Sequence, residues 1–337
     1  MQKIYLTIAI PTYNRENQLK RTLNELRNNK NKNKIKILIL DNCSEYDIFK
    51  LKKEFFDLNI EIKKNNCNIG GNANIARCFE IVETEWMWVL SDDDLPVAGV
   101  IDKILKDIEI SDDKVILLKY SSEVSMEFES KEIVGLENLI YFLNKMSPES
   151  RFSNLLFIST SVYRVSQLKK YVVYAYQYTN AYFPQVAILF FFLEKHSEYK
   201  VKFLKELTVN LVRDKKDSYI GLLVGLGILT STKNMIFNIS VDADEKMRSL
   251  FTLFTKSYRS NFLALYLSNY QIKTKKEILK ELYNYSKKDY NYLQKLEFYI
   301  LYYALSNSLL IKLLKRISIQ FKKKIESDRN TDLYWRI

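Results

Sequence analysis

The chain has 337 residues, of which 47% are hydrophobic and 27% charged, a balance that is typical of globular proteins and excludes an intrinsically disordered one. Its net charge is +12, and its three cysteines form neither an even disulfide set nor the paired spacing of a zinc site. The sequence has no apolar stretch of about 18 residues, and Pro11 soon breaks the N-terminal apolar run, so we predict neither a membrane span nor a signal peptide. We therefore expect a cytoplasmic protein.

Strands and helices alternate through the first hundred residues. Runs of β-branched and apolar residues predict buried strands over residues 4–10, 35–40, 60–63 and 86–90. Helical spacing predicts a helix that contains Leu19, Leu23 and Leu26, and further helices over residues 48–56 and from the polar loop 65–74 through Val82. This alternation predicts an α/β fold with a mostly parallel sheet and helices on both faces.

Each predicted strand is followed by a polar turn. The turns are Pro11-Thr12-Tyr13-Asn14-Arg15, Asp41-Asn42-Cys43-Ser44, residues 65–74 and Asp92-Asp93-Asp94. In α/β folds ligands bind at the carboxyl ends of the strands, so we expect these turns to form one site. Three acids directly after a buried strand are costly unless a cation neutralises them, and Mg²⁺ or Mn²⁺ binds carboxylates together with substrate phosphates. The alternative for the three acids taken alone is a solvated acidic turn. The turns predict a nucleotide site, although a Gly-x-Gly-x-x-Gly motif and a Walker lysine are both missing.

The middle and the end of the chain differ in composition. A strand is predicted over residues 115–119, an edge strand over residues 123–132, and helices over residues 101–108 and Pro184–Lys195. From residue 216 onward there are 21 Lys and Arg against 11 Asp and Glu, so this helical part holds +10 of the net charge of +12. Residues 309–325 have the pattern of a basic amphipathic helix on an anionic membrane, or of a bundle helix with a lysine-rich solvent face.

Four motifs together resemble the family 2 glycosyltransferases: Ile8-Ala9-Ile10-Pro11-Thr12-Tyr13-Asn14-Arg15, Ile39-Leu40-Asp41-Asn42-Cys43-Ser44, Asn68-Ile69-Gly70-Gly71 and Leu90-Ser91-Asp92-Asp93-Asp94-Leu95-Pro96. The resemblance covers residues 4–105 closely and residues up to 220 loosely. It implies a GT-A fold, with a Rossmann-like nucleotide-binding part (1–110) and an acceptor part (111–215) in one domain (1–215). A basic α-helical domain (216–337) follows. The segment around Asp92 is also similar to that of abequosyltransferase-like relatives, some of which retain configuration.

The resemblance implies roles for the turns. The residues that it places at the nucleotide are Pro11, Thr12, Tyr13, Arg15, Asp41, Asn42, Asn68, Arg77 and Asp92. Asp92 and Asp94 match the Asp-x-Asp element, which holds the ribose and the Mn²⁺ or Mg²⁺ on the diphosphate of the donor, and Asp93 is a candidate catalytic group. Alternatives remain for two of these residues: Asp41 as a helix-capping acid, and Arg77 as a surface residue of its helix.

The catalytic base and the last metal ligand match the family less well. Residues 155–163 resemble the acceptor-side strand of the family, so the resemblance implies a strand there. Inverting members usually carry a carboxylate about twenty residues after this strand, but residues 179–185 contain none. Glu194 is the nearest acid downstream and becomes the candidate base, while inversion or retention stays open. Asp214, with Asp217 as the alternative, is the candidate metal ligand where the family often has a histidine. The single histidine, His196, is expected to be a helix-end residue.

The resemblance implies a metal-dependent hexosyl- or N-acetylhexosaminyltransferase. Its donor is expected to be a UDP-sugar, and its acceptor a glycan or lipid-linked glycan of capsule, lipopolysaccharide or another surface polysaccharide. A peripheral position at the inner face of the cytoplasmic membrane fits the basic tail. The alternative is a basic membrane- or nucleic-acid-binding protein with a non-catalytic α/β domain. No nucleic-acid motif is present, so we expect no nucleic-acid partner. A sugar nucleotidyltransferase requires a glycine-rich signature that is also missing.

Overall fold

The structure is a computed structural model, and it describes residues 4–122, 129–147, 150–151, 154–155, 157–179, 183–210, 235–250, 276–277, 279–280, 283–284, 287 and 291–304. The chain divides into two compact units, one of Met1–Asp214 with Ser231–Phe251 and the other of Lys215–Thr230 with Thr252–Ile337. No helix among the described residues is long and apolar enough to cross a membrane. The roles assigned above to parts of the chain stay predictions.

A sheet of eight strands is the centre of the first unit. The strands are β1 (Leu6–Thr12), β2 (Ile35–Asp41), β3 (Ile60–Lys64), β4 (Trp86–Val89), β6 (Val115–Ser121), β7 (Lys131–Val134), β8 (Ser161–Tyr163) and β9 (Lys200–Leu207). Their order is β3-β2-β1-β4-β8-β6-β9-β7, and β5 (Leu95–Pro96) pairs separately with β10 (Val209–Asn210). Only β7 and β8 run against the other strands of the sheet. The predicted α/β fold with a mostly parallel sheet is therefore confirmed.

Helices cover both faces of this sheet. The described helices of the first unit are α1 (Glu16–Arg27), α2 (Lys50–Glu54), α3 (Gly71–Ile81), α4 (Val100–Glu109), α5 (Leu136–Asn144), α6 (Val165–Leu168), α7 (Val172–Gln177), α8 (Pro184–Lys195) and α9 (Val241–Ser249), and the second unit contains α10 (Tyr292–Ala304). Side chains of α1, α2 and α4 pack with one face of β1 to β4 in a single buried cluster. On the other face α3 contacts β1 and α8.

The buried strands explain where the site lies. β1 is almost entirely buried, and the chain passes from it to β2 and β3 on one side, then returns to β4 on the other. The strand order therefore reverses between β1 and β4, and such a switch point leaves a crevice at the carboxyl ends of the strands. The parallel register pairs Thr12 with Asp41 and Asp41 with Lys64, so three strands end at one level.

Two predicted elements differ from those observed. The strand predicted over residues 155–163 is a 3-10 turn, Ile158–Thr160, followed by the short strand β8. Side chains from other strands bond the carbonyls of this turn, including that of Phe157, which accepts a hydrogen bond from Lys119. The helix predicted over residues 48–56 is only the five-residue α2. Of the predicted edge strand, residues 123–128 lie outside the described residues, and a strand begins at Lys131.

Candidate active site

The acidic turn after β4 is held by residues of β1 and α1. Thr12 Oγ1 donates a hydrogen bond of 2.6 Å to Asp92 Oδ2. The Arg15 guanidinium lies 3.2 Å from Asp92 Oδ1 and 2.6 Å from Asp93 Oδ2. Thr22 Oγ1 donates to the main-chain carbonyl of Asp92 at 3.0 Å. The turn after β1 and the turn after β4 therefore meet, as the sequence predicts.

Asp92 and Asp94 are both buried, and burial has a large effect on their ionisation. Removal from water raises the pKa of Asp92 to about 6, although Thr12 and Arg15 oppose the shift. It raises the pKa of Asp94 to about 7, where the hydroxyl of Ser159 opposes the shift and the charges of Asp93 and Asp92 add to it. Ser159 Oγ donates to Asp94 Oδ2 at 2.6 Å. Ionising Asp94 in this environment is costly until a cation binds.

The donor set suits a hard divalent ion. Asp92 and Asp94 are separated by one residue, and both have raised pKa values. Carboxylates are ligands of the kind that Mg²⁺ and Mn²⁺ bind. Among the described residues no group of three His, Cys, Asp or Glu side chains is placed to hold a metal. The two further candidates, Asp214 and Asp217, lie outside the described residues. The described chain reaches Asn210 in β10, whose partner in β5 is Leu95, directly after Asp94.

Asp41 ends β2 and is completely buried. Its carboxylate accepts hydrogen bonds from the backbone N–H and the hydroxyl of Ser44, and Lys64 Nζ lies 3.6 Å from Oδ2. Ser44 Oγ in turn accepts from the Asn14 N–H at 2.9 Å. This bond to the N–H three residues further on resembles that of a helix-capping acid, which was the alternative for Asp41. Ser44 lies in a loop, however, and no helix begins there.

Backbone strain occurs in these same turns. Asn14 (φ 52°) and Cys43 (φ 70°) are the two non-glycine residues with positive φ among those described. Asparagine tolerates the left-handed region better than cysteine, and such conformations persist where neighbouring bonds impose them. The Asn14 side chain accepts from the Glu45 N–H at 2.8 Å, which joins the turn after β1 to the turn after β2.

A network of side-chain amides connects the turns after β2 and β3. Asn42 Nδ2 donates to Asn68 Oδ1 at 2.7 Å, and Asn42 Oδ1 accepts from Asn65 Nδ2 at 3.0 Å. Asn65 Nδ2 also donates to Asn74 Oδ1, and Asn65 Oδ1 accepts a hydrogen bond of 2.8 Å from Arg77 Nη1. Arg77, for which a surface position was the alternative, is half-buried, and its Nε atom is buried with no hydrogen-bond partner. The network fixes the guanidinium beside the predicted nucleotide loops.

The remaining candidates are spread more widely. Tyr13 is exposed at the rim of the site, and Pro11 is half-buried within β1. Glu194 lies near the end of α8, where its carboxylate accepts from the Asn238 N–H at 2.7 Å and pairs with Lys195 at 3.5 Å. His196 follows α8 as the expected helix-end residue, and its Nε2 lies 3.0 Å from the Tyr171 hydroxyl.

Sequence reasoning missed four residues that the structure brings into the site. They are Thr22, Asn65, Asn74 and Ser159. Asn65 and Asn74 bound the polar loop that the sequence did mark, so their residue type was a usable signal. Thr22 and Ser159 are hydroxyl residues in segments predicted as an ordinary helix and an ordinary strand. Their contacts with the acidic turn span 70 and 65 residues of chain, and nothing local indicates them.

Comparison with known proteins defines the class. Residues 7–166, slightly less than half of the chain, match the family model described as "Glycosyl transferase family 2". This segment contains all four polar turns and Ser159. Together with the GT-A fold, the match identifies the protein as a glycosyltransferase. A search of curated protein sequences found no match.

Solved structures support the fold. The structure of S. aureus TarS 1-349 in complex with UDP-GlcNAc aligns with a TM-score of 0.57 at 16% identity, over 83% of this chain and 81% of that one. A longer TarS structure is covered over only 49% of its length. Mannosyltransferase PcManGT from Pyrobaculum calidifontis, in complex with GDP-Man and Mn²⁺, aligns with a TM-score of 0.50 at 10% identity, over 92% of this chain and 86% of that one.

Proposed function

We propose that the protein transfers a sugar from a UDP-sugar to a glycan acceptor with the help of Mn²⁺ or Mg²⁺. The observation that supports this most is the pair Asp92 and Asp94, two buried carboxylates with raised pKa values at the edge of the sheet. A divalent ion bound together with a diphosphate stabilises such acids in the ionised form. The region matched by the family model includes both of them.

In this proposal the acidic turn binds the ion and the ribose. Asp94 binds the ion, Asp92 reaches the ribose or the ion, and Arg15 keeps Asp92 and Asp93 in place. When bound, the ion neutralises the charge that develops on the nucleoside diphosphate as the glycosidic bond breaks. Asp214 is proposed as a further ligand. It follows Asn210 by four residues, which span at most about 14 Å, so the chain can bring it to Asp94.

The base and the diphosphate are proposed to lie over the turns after β1, β2 and β3. Tyr13 is 40% exposed and offers a ring against which a base can stack. Asp41 is completely buried, so its proposed contribution is to hold the loop of Ser44 against the base, and a direct bond to the base requires this loop to open. Asn42 and Asn68 fix the next loop, and Arg77 supplies positive charge near the diphosphate.

The chemistry at the acceptor rests on fewer contacts. Asp93 is proposed as a catalytic group because it is partly exposed beside the two buried acids. Glu194 stays the candidate base, and its two carboxylate oxygens contact the Asn238 N–H and Lys195. The acceptor is proposed to be a glycan or lipid-linked glycan of a surface polysaccharide, such as capsule or lipopolysaccharide. The basic tail is proposed to hold the protein at an anionic membrane.

A thermal-shift screen tests the donor and the ion together. Sugar nucleotides of UDP, GDP, CDP and TDP are added with Mn²⁺, with Mg²⁺ and with EDTA. GDP is included because the PcManGT structure contains GDP-Man. We expect UDP-sugars to raise Tm only with the ion, and Asp94→Asn to remove this shift. Asp57→Asn is the matched control, because it is the same substitution at a distant position. Asp57 precedes the amino end of β3, whereas the site lies at the carboxyl ends of the strands, and it pairs with Arg27.

Each outcome of the screen decides a different part of the proposal. A shift of equal size in EDTA contradicts the role of the ion. A shift only with GDP-sugars contradicts the proposed donor but keeps the class of enzyme. No shift with any sugar nucleotide contradicts the nucleotide site. Hydrolysis of the effective donor, measured with the same variants, then shows whether the bound nucleotide is also a substrate.

A further inference from the structure

Lys119 is a buried lysine in the middle of the sheet that the proposed function does not use. It lies on β6, where Ser161 of β8 and Phe203 of β9 flank it. Its Nζ donates to Phe157 O at 2.9 Å, to Thr160 Oγ1 at 2.6 Å and to Ser161 Oγ at 3.0 Å. Burial alone lowers the pKa of this amine to about 7. A buried amine bonded to neutral oxygens is costly, so its contacts are informative.

All three acceptors belong to one turn, residues 157–161, and the opposite side of this turn contacts the acidic loop. Ser159 Oγ donates to Asp94 Oδ2 at 2.6 Å and accepts from the Ser91 N–H at 2.9 Å. The Ser159 carbonyl accepts from Trp88 Nε1 at 2.8 Å and from Thr208 Oγ1 at 2.9 Å. The turn is therefore fixed by Lys119 on one side and touches the proposed metal ligand on the other.

The conformation of the turn depends on these bonds. The family resemblance predicts a strand over this segment, in which Ser159 and Ser161 would point to the same face. In the structure the segment forms the 3-10 turn Ile158–Thr160, and the two serines contact different partners, Asp94 and Lys119. The Phe157 carbonyl accepts from Thr160 Oγ1 at 3.0 Å, and the amine of Lys119 donates to both of these groups, so it joins the two ends of the turn.

We propose that Lys119 is a positioning residue of the donor site. It holds residues 157–161 so that Ser159 keeps the Asp94 carboxylate in the orientation that binds the divalent ion and the diphosphate. This inference rests on the proposed function of Asp94. It assigns to Lys119 no contact with the donor, because its amine faces the turn.

A double-mutant cycle tests the proposal by UDP binding. UDP affinity is measured with Mn²⁺ and with EDTA from tryptophan fluorescence, for which Trp88 is a local reporter through its bond to Ser159. With Mn²⁺ we expect Lys119→Met and Ser159→Ala each to weaken binding about tenfold, the size of one lost bond to a charged group. The double variant should bind within about twofold of Ser159→Ala, because both changes act through one contact. Affinity in EDTA should stay at the parental value.

Leu118→Ala is the control for a loss of packing. Leu118 is the preceding residue of β6, fully buried, and it packs in the cluster on the opposite face of the sheet. Leu118→Ala should lower Tm, and it should weaken UDP binding with Mn²⁺ only slightly. In the double variant with Ser159→Ala, the fold-changes in the dissociation constant of the two single variants should multiply. If Lys119→Met does not fold, Thr160→Val replaces it, since it removes one acceptor of the lysine and keeps the cation.

Three results would overturn the inference. The first is that the fold-changes in UDP affinity caused by Lys119→Met and by Ser159→Ala multiply in the double variant. The second is that Lys119→Met weakens UDP binding in EDTA as much as it does with Mn²⁺. The third is that Lys119→Met, or Thr160→Val in its place, binds UDP and Mn²⁺ as the parent does while Asp94→Asn does not. In that third case the proposed function survives. Parental binding by Asp94→Asn would instead contradict the proposed function itself.

Discussion

Replacing Asp94 by Asn separates the cost of a buried charge from its use in binding. Burial raises the pKa of Asp94 from 3.8 to about 7. A carboxyl group whose folded-state pKa exceeds its unfolded value makes the folded protein bind more protons. Its contribution to stability is therefore fully present below pH 3.8, and it is lost as the pH rises through 7. In the absence of metal and nucleotide, the parent should thus be less stable at pH 8 than at pH 5.

The size of this effect follows from the shift. About three pKa units at 1.36 kcal/mol each correspond to about 4 kcal/mol at high pH. Loop relaxation and water entry lower the cost of a buried charge, so we expect Asp94→Asn to gain about 1–3 kcal/mol at pH 8. Asparagine has the same shape and still accepts the hydrogen bond from Ser159. Transfer should nevertheless be abolished, because the ion loses a charged ligand.

Urea unfolding at pH 5 and pH 8 measures the prediction, alongside turnover of the donor. The stability gain of Asp94→Asn should be large at pH 8 and should shrink toward pH 5. Asp93→Asn is the control, because Asp93 is partly exposed and bonded to Arg15, so its replacement should not stabilise the protein. An identical pH dependence in parent and Asp94→Asn would refute the electrostatic reasoning. Turnover within about threefold of the parent would refute the metal assignment.

Three further predictions concern other parts of the chain. Asp41→Ala should weaken UDP binding about tenfold to a hundredfold, because the loop of Ser44 loses the carboxylate that holds it against the base, and should leave metal affinity in the nucleotide-free protein unchanged; parental affinity for UDP, CDP and GDP in fluorescence titrations would contradict this role. Asn65→Ala should cost about 1–3 kcal/mol in urea unfolding, because it leaves amide partners and Arg77 unbonded. Replacing Lys322, Lys323 and Lys324 by Gln should release the protein from phosphatidylglycerol vesicles, and equal co-sedimentation of parent and variant would contradict membrane binding.

The fold could be predicted where local pattern and tertiary context agree. β1, β2 and β4 are mainly apolar runs that end in polar residues, and nearly all of their residues are buried. The prediction was wrong at the turn Ile158–Thr160, where the family resemblance implies a strand. The backbone there is determined by partners such as Lys119 and Trp88, which are distant in sequence. Side-chain bonds to main-chain carbonyls override strand propensity, and no local pattern shows them.

The site was predictable to the extent that strand ends determine it. Parallel strands bring their carboxyl ends together, so the sequence alone indicates that the turns of Thr12, Asp41 and Asp92 meet. It does not indicate how each side chain is engaged. Asp41, for example, is completely buried and bonded to Ser44, and its contact with the base stays a prediction. The state of each carboxylate depends on burial and on its exact partners, which only the packed structure determines.

The three acids of the turn differ because their partners differ. Arg15 contacts Asp92 and Asp93 directly and acts on Asp94 only as the last of several contributions to its pKa. Asp94 receives a neutral hydroxyl from Ser159, as Asp92 does from Thr12, but it has no direct contact with Arg15, and burial raises its pKa to about 7. The fold thus leaves Asp94 as a buried acid without a direct cationic partner, which gains from a bound cation. A divalent ion that binds there must displace a proton near neutral pH, so ion binding and proton release are coupled at this residue.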